Sequence, residues 1–376
     1  MKVVVNQQHL AHGLSIVSRA VSPRSTLPVL ANILVATDEG GRLRLAATNL
    51  ELGITTWIPA QITENGLTTV PARTFQDLVN TLPADAVTLE LNEKTQTLNV
   101  KCGSSVTDIK GIDAQEFPPM PVPELTDAVE LNVTDFKEMI QQVAFAASTD
   151  EARPVLQGVM LNITEGEVTL AATDGFRISV RKAALSHPVS QPVAAIIPAR
   201  ALSELARIAA DGEQAVSMVI PQGRGQVIFH LKDAELVSQL IEGNFPDYKV
   251  IIPRAFKTKT ILNSTAFLEA CKQAEIIARE GNNVVRLSLI PSESGPGTLE
   301  LKAQSEETGV SDVKVDATIE GSELVIAFNV RYLREVLDVI HSPNVTLETN
   351  ANNTPGLIKP VGNEDFLHVI MPMHLG

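Results

Sequence analysis

The sequence predicts an α+β protein of three repeated domains, each with two helices packed on antiparallel sheets. Three observations carry that prediction. The stretch Leu170-Ala171-Ala172-Thr173-Asp174-Gly175-Phe176-Arg177-Ile178 has a near copy beginning Leu45-Ala46-Ala47-Thr48-Asn49, and Thr48 and Thr173 lie 125 positions apart. A period that long is a domain, since solenoid units repeat at about 20–50 residues. Next, an apolar residue followed by Asn opens a helical pattern three times, at Val5-Asn6, Leu131-Asn132 and Leu262-Asn263. Finally, Val70-Pro71-Ala72-Arg73, Ile197-Pro198-Ala199-Arg200 and Phe328-Asn329-Val330-Arg331 open a second helix at matching offsets. The domains read as 1–124, 125–253 and 254–376.

The first helix of each repeat is read over 6–20, 133–147 and 264–279. Asn before the apolar stripe is a good N-cap, because its side-chain oxygen accepts from free first-turn N–H groups. Alternating strands follow at 32–37 and 42–47, at 158–163 and 167–172, and at 285–290 and 298–303. Gly40-Gly41, Glu165-Gly166 and Gly295-Pro296-Gly297 supply the hairpin turns between them. The second helices are read over 72–82, 199–210 and 330–340. Proline at a helix start fixes φ where the missing N–H costs nothing. The first two repeats close on Glu116-Phe117-Pro118 and Asn244-Phe245-Pro246, and the third on Val369-Ile370-Met371-Pro372-Met373. Residues 118–123 and 248–253 read as linkers.

With 376 residues the chain can bury two or three cores. No apolar run approaches the roughly 18 residues of a membrane span, and Met1-Lys2-Val3-Val4-Val5 runs into polar residues rather than a secretory signal. Cys102 and Cys271 are far apart, which implies buried thiols rather than a disulfide or zinc framework. The chain reads as cytoplasmic.

The net charge is −14, which by itself disfavours a simple nucleic-acid binder. The charge is unevenly placed. The six predicted helices carry nine Lys/Arg against eight Asp/Glu, a net of +1, while the remainder carries −15. Arg73, Arg200 and Arg331 hold one repeated place. Helices so weakly basic cannot grip a duplex tightly, because non-specific affinity is only about 10⁻⁴–10⁻⁶ M even for basic proteins and falls with salt. Retention on DNA would have to be topological, by a closed ring with its helices facing inward.

Joint order and spacing give these residues a family resemblance over essentially the whole chain. Thr26-Leu27-Pro28-Val29-Leu30, Val70-Pro71-Ala72-Arg73, Ala172-Thr173-Asp174-Gly175, Phe245-Pro246-Asp247-Tyr248, Phe328-Asn329-Val330-Arg331-Tyr332 and the Val-Ile-Met-Pro-Met end resemble the bacterial DNA polymerase III β subunit, the sliding clamps. The resemblance implies a head-to-tail homodimer ring of six domains that encircles double-stranded DNA without sequence preference. It implies a non-enzymatic processivity factor without cofactor or metal. DNA-facing cations would be Arg19, Arg24, Arg73, Lys137, Arg153, Arg200, Arg207, Arg331 and Arg334. The dimer interface would bring Ile276 and Ile277 near the partner copy's equivalents of Leu82 and Ile109.

It also implies a pocket between the second and third domains for short linear motifs of polymerase subunits, the clamp loader, other polymerases and repair proteins. Its residues would be Leu156, Thr173, Gly175, Arg177, Ile178, Pro246, Val250, Ile251, Asn329, Tyr332, Val369, Met371, Pro372, Met373 and Leu375. An apolar, Met-containing groove with few polar groups suits varied peptides. The chain departs from the family at Phe176, where His is usual, at Val250, where a basic residue is common, and at His374, where Arg is frequent.

Catalytic signatures are absent: there is no P-loop, no G-x-S-x-G and no H-E-x-x-H. Asp174 reads as a turn residue, since its counterpart Asn49 lacks the acid. His9 and His12 stand at i, i+3 but have no further ligand at metal spacing. The alternatives are a three-repeat interaction scaffold without a DNA role and an acidic metabolic enzyme with an unrecognised site. The repeated helix Arg disfavours the first, and the threefold repeat without catalytic motifs disfavours the second. The loss of a cation at Val250 is expected to weaken preference for acidic motifs. Val250→Arg should therefore raise affinity for an acidic peptide more than for a neutral one, and equal changes would refute the assignment.

Overall fold

The structure is a computed structural model, and it describes residues 1–22, 24–189, 191–210, 212 and 214–374. The first repeat contains β1 (Lys2–Asn6), α1 (Gln7–Val17), β2 (Asn32–Thr37), β3 (Arg42–Thr48), β4 (Leu52–Pro59), β5 (Gln61–Glu64), β6 (Leu67–Pro71), α2 (Ala72–Thr81), β7 (Ala86–Asn92), β8 (Thr97–Cys102) and β9 (Ser105–Lys110). The second contains β10 (Val129–Asn132), α3 (Val133–Val143), β11 (Gly158–Thr164), β12 (Glu167–Thr173), β13 (Arg177–Ala184), β14 (Val193–Pro198), α4 (Ala199–Ile208), β15 (Ala215–Val219), β16 (Gln226–His230) and β17 (Ala234–Gln239). The third contains β18 (Thr258–Asn263), α5 (Ser264–Ala278), β19 (Val284–Ile290), β20 (Gly297–Ser305), β21 (Gly309–Gly321), β22 (Leu324–Asn329), α6 (Val330–Leu337), β23 (Asn344–Thr349), β24 (Gly356–Pro360) and β25 (Phe366–Ile370).

The predicted helices and hairpins are present, with the helix ends shorter than the apolar stripes suggested. α1 stops at Val17 and α3 at Val143, each followed by a 3₁₀ turn. Asn6 caps α1 by accepting from the N–H groups of Gln8 and His9, Asn263 caps α5 at Ala266, and Asn329 caps α6 at Arg331. The Pro71 that precedes α2 has no side-chain cap.

The chain forms two compact units. One holds residues 1–134 and 201–240, the other 135–200 and 241 onward. In the first unit a five-stranded sheet runs β5-β1-β7-β8-β9 and an eight-stranded sheet runs β10-β15-β16-β17-β4-β3-β2-β6. α1 lies against β3, β4 and α2, and the buried Gln7 side chain donates to the carbonyl of Val79 at 2.8 Å, which ties the two helices. In the second unit one sheet of twelve strands runs β14-β11-β12-β13-β25-β24-β23-β18-β21-β20-β19-β22. α5 and α6 pack on each other there, and Phe267, Cys271, Phe328, Leu333 and Val336 fill the core beneath them.

Both large sheets run across repeat boundaries in the same way. The last strand of the second repeat, β17, pairs antiparallel with β4 of the first, Ala234 opposite Thr56. The last strand of the third, β25, pairs with β13 of the second, Phe366 opposite Arg181. These are equivalent places, so both junctions share one register.

A second device recurs three times. The segment after each closing strand crosses to the free edge of its own repeat and bonds there. Ile112 exchanges two backbone bonds with Thr69, Ile241 donates to Ile196 at 2.9 Å, and Met373 donates to Ala327 at 2.8 Å. Thr69, Ile196 and Ala327 are one repeat position. A bare strand edge offers unpaired N–H and C=O groups to any passing strand, and these staples cover it.

One sequence expectation fails. Residues 248–253 are not a loose linker. Tyr248–Val250 form a 3₁₀ turn, and Tyr248 is buried with Ala171, Ile178, Val180, Leu357 and Val369. Burial of an aromatic ring of that size is worth about 2 kcal/mol or more, and this is what fixes the segment. Cys102 and Cys271 are buried thiols, as expected.

The staple can be tested at Gly111, where a Cβ would stand 2.3 Å from the carbonyl oxygen of Thr69. Gly111→Ala should cost about 1–3 kcal/mol by forcing that strand from the edge. Gly295→Ala, which meets nothing within 4 Å, should stay within about 0.5 kcal/mol. Chemical denaturation of both variants decides it.

Candidate functional site

The turn between β12 and β13 is built by its own side chains. Thr173 Oγ1 donates to the Arg177 carbonyl at 2.7 Å and accepts from Gly175 N. Asp174 Oδ1 accepts from the N–H groups of Phe176 and Arg177. Gly175 sits at φ +95°, a region that residues with a Cβ occupy only with strain. The first repeat has the same turn, with Asn49 accepting from Glu51 and Leu52 and with Leu50 at φ +76°. The edge of the β12–β13 turn is taken by Met371, whose N–H donates to the Phe176 carbonyl at 2.8 Å.

Arg177 is the anchor of the site. Only 4% of it is exposed. Its Nε donates to Asp174 Oδ2 at 3.1 Å, Nη1 to Glu335 Oε2, and Nη2 to the Phe145 carbonyl at 2.9 Å. The guanidinium lies 4.2 Å from the Tyr332 ring centre and 5.2 Å from that of Phe145. A buried cation is tolerable only with such partners, so Arg177 ties the β13 turn to α6 and is closed to an incoming ligand's charge. Burial, with the Asp174 carboxylate beside it, raises the Tyr332 hydroxyl above its usual range.

His368 on β25 is buried beneath, its Nδ1 2.6 Å from Ser179 Oγ and its ring stacked on Phe145. Burial first, and the Arg177 charge second, hold its pKa well below the usual value of 6.5.

Around this anchor the pocket residues expected from the sequence divide by exposure. Thr173, Arg177, Ile178 and Val369 are buried, and Leu156, Asn329, Tyr332, Pro372 and Met373 are half-buried. Gly175, Pro246, Val250, Ile251 and Met371 are exposed. Ile178 and Val369 share a buried cluster with Tyr248, while Phe176, Val250, Ile251 and Met371 are exposed. Leu375 lies outside the described residues.

Glu335, Phe145 and His368 were missed by sequence reasoning. Glu335 had a usable signal, since it stands four residues after Arg331 on a helix, the spacing at which charges pair.

The cations expected to face a duplex are on or beside the helices, in differing company. Arg73 is 95% exposed and 3.7 Å from Asp77, Arg331 is half-exposed with Glu335 at 3.1 Å, and Arg24 and Arg200 are exposed. Lys137 is half-buried. Arg19 and Arg207 share Glu204, and Arg334 is held by Glu275 at 2.7 Å and by Asp338. Arg153 bonds to Asp150 and to the Asp174 carbonyl. Pairing of this kind lowers the net pull on phosphate without removing it. Of the residues expected at a dimer contact, Ile276 is 57% exposed, Leu82 and Ile277 are half-buried, and Ile109 is buried in its own chain. Among the described residues no group of three His, Cys, Asp or Glu is placed to hold a metal ion, and no helix is long and apolar enough to cross a membrane.

The fold holds His368 neutral while the unfolded chain protonates it near pH 6.5. Its contribution is therefore intact above that pH and is lost as pH falls below it, at up to about 1.4 kcal/mol per unit. Denaturation midpoints at pH 7.5 and 5.5 should show this loss, and His368→Gln should flatten it.

Comparison with known proteins gives one answer along the whole chain. Sequence models of the DNA polymerase III beta subunit match residues 1–121 with its N-terminal domain, 130–247 with its central domain and 249–374 with its C-terminal domain. The chain is 36% identical to the beta sliding clamp of Synechococcus elongatus, over 100% of both, and 33% identical to that of Bacillus subtilis, over 99% of both. Its fold matches the crystal structure of the Bacillus subtilis DNA polymerase sliding clamp at a TM-score of 0.93, with 31% identity and full coverage of both chains. It matches the Pseudomonas aeruginosa sliding clamp bound to griselimycin at a TM-score of 0.91, with 28% identity and full coverage. The chain consists of three clamp domains and belongs to the DNA polymerase III beta subunit family, the beta sliding clamps.

Proposed function

We propose that this protein is a DNA sliding clamp: two copies join head to tail into a ring that encircles duplex DNA and tethers the replicative polymerase. It is a non-catalytic processivity factor of the cytoplasm, with domains at 1–124, 125–253 and 254–376.

One observation carries the ring. Among the described residues, β9 pairs only with β8, and residues 309–316 of β21 pair only with β20. By repeat position β9 is the counterpart of β17 and β25, and β21 of β4 and β13. The two open edges are therefore the two halves of a junction the chain makes twice internally. A second copy can bring them together in the same way. Such an interface is heterologous, and it gives a closed ring when the rotation it repeats brings the second copy back onto the first. The shared register puts Ser105 opposite Val313 and Thr107 opposite Ser311. Val106 and Val310, 59% and 58% exposed, would be covered. On the helices, exposed Ile276 takes the repeat position of Arg19, which reaches Glu204 at 3.0 Å across an internal junction. Its counterpart contact would be with α2 of the other copy, beside Leu82.

The near-neutral helices and the acidic remainder support retention by enclosure. The surface of Val250, Ile251 and Met371 over a rigid floor supports a docking place for apolar linear motifs of polymerase subunits, the clamp loader and repair proteins. Retention on nicked circular DNA, with loss from linear DNA, tests the enclosure; equal retention on both would refute it.

The register is testable directly. A double variant Ser105→Cys, Val313→Cys should oxidise to a covalently closed dimer while either single variant should not, because paired residues stand about 4.5–5.5 Å apart across strands. An isologous dimer would not cross-link. Met371→Ala should weaken motif binding about tenfold or more and leave the dimer mass unchanged.

A further inference from the structure

Glu335 is a single carboxylate shared by cations that serve different surfaces. Its Oε2 accepts from Arg177, the buried anchor under the docking surface. Its Oε1 lies 3.1 Å from Arg331 Nε, and Arg334 stands at 4.0 Å. Arg331 is half-exposed on α6 and holds the threefold-repeated place assigned above to the DNA-facing helices. Arg334 is taken up by Glu275 and Asp338, so Arg331 is the cation of this group that a phosphate can draw away.

From Arg177 the chain of contacts continues to the docking surface. The Arg177 carbonyl accepts from Thr173, which sets the turn, and the turn's Phe176 carbonyl accepts from Met371. Whatever holds the guanidinium therefore holds the position of Met371.

We propose that Glu335 is a positioning residue for the docking surface and links it to the duplex. When a phosphate engages Arg331, the repulsion between Arg331 and Arg177 over one carboxylate falls. Glu335, already bonded to Arg177, is then no longer shared, its charge is left to Arg177, the turn stiffens, and a docked partner is held more tightly on DNA than off it. The linkage is reciprocal, since a docked partner must favour the duplex by the same factor. This inference rests on the clamp reading above.

Griselimycin, the ligand of the Pseudomonas aeruginosa clamp, serves as probe. Its affinity for the intact dimer is measured by calorimetry with and without a short duplex at low salt. The duplex is expected to tighten binding about two- to fivefold. Glu335→Gln should weaken binding off DNA about fivefold and abolish the DNA effect. Arg331→Ala should abolish the DNA effect with little change off DNA, and Arg331→Lys should restore part of it. A merely structural Glu335 would lower affinity but leave the ratio intact. Equal griselimycin affinity on and off bound DNA in the unaltered protein, or a ratio unchanged by Arg331→Ala, overturns the linkage. Failure to bind griselimycin at all would instead remove the docking reading, and the linkage with it, while failure of the duplex to bind even at low salt would overturn the linkage alone.

Discussion

Edge pairing between successive repeats is the constraint on which this molecule depends. Each repeat has a closing strand with one uncovered side and a strand of the β4 type with another. Within the chain, β17 covers β4 and β25 covers β13 in one register. The β6, β14 and β22 edges are covered by the tails of their own repeats at Thr69, Ile196 and Ala327. Among the described residues, the members of this junction left unpaired are β9 and residues 309–316 of β21, while β5 and β10 end their sheets elsewhere. Bare edges invite indiscriminate pairing. Here the two that remain are complementary by descent from the same junction, so self-association is the arrangement that satisfies them without a new interface.

The same repetition makes the docking surface a local departure worth explaining. At the first junction Gly53 stands in place of Ile178, and the Met120 methyl group packs so close that a Cβ at Gly53 would be 2.7 Å from it. Leu52 takes the place of Arg177 and is simply buried, and Leu50 projects from the turn where the second repeat has Gly175. The first junction is thus filled from its own chain. At the second, Tyr248 is buried with Ile178 and Val369, Arg177 is held by its own partners, and Gly175 presents no side chain at the turn. A buried ion network of this kind is weak evidence of added stability, since apolar packing does as well. Its use here is to fix one geometry across the turn and α6.

Much of this was legible in the residues. The period, the caps at Asn6 and Asn263 and the glycine hairpins follow from spacing alone, because local rules decide them. The pocket residues expected from the resemblance, Leu375 apart, all fall in one compact unit of the fold. What spacing could not give was the company kept by charges. Glu335 and Arg177 are 158 positions apart, and Glu335 looked like one more solvated helix acid. Tyr248 looked like part of a linker because Pro246 and Pro253 flank it, and nothing local announced that its ring would be needed in a core. Helix ends were overrun for a related reason, since apolar stripes continue through the 3₁₀ turns after Val17 and Val143.

The ion pairs on the helices bear on how such a protein moves along a duplex. Arg19, Arg207, Arg331 and Arg334 each already face a carboxylate, so under the proposed arrangement engaging a phosphate would exchange one partner for another instead of creating a contact from solvent. Each exchange is worth little, and none depends on base sequence. A strongly basic lining would raise affinity but would also deepen every well along the path. Enclosure removes the need for affinity altogether, which is why a chain of net charge −14 can hold a polyanion and still slide.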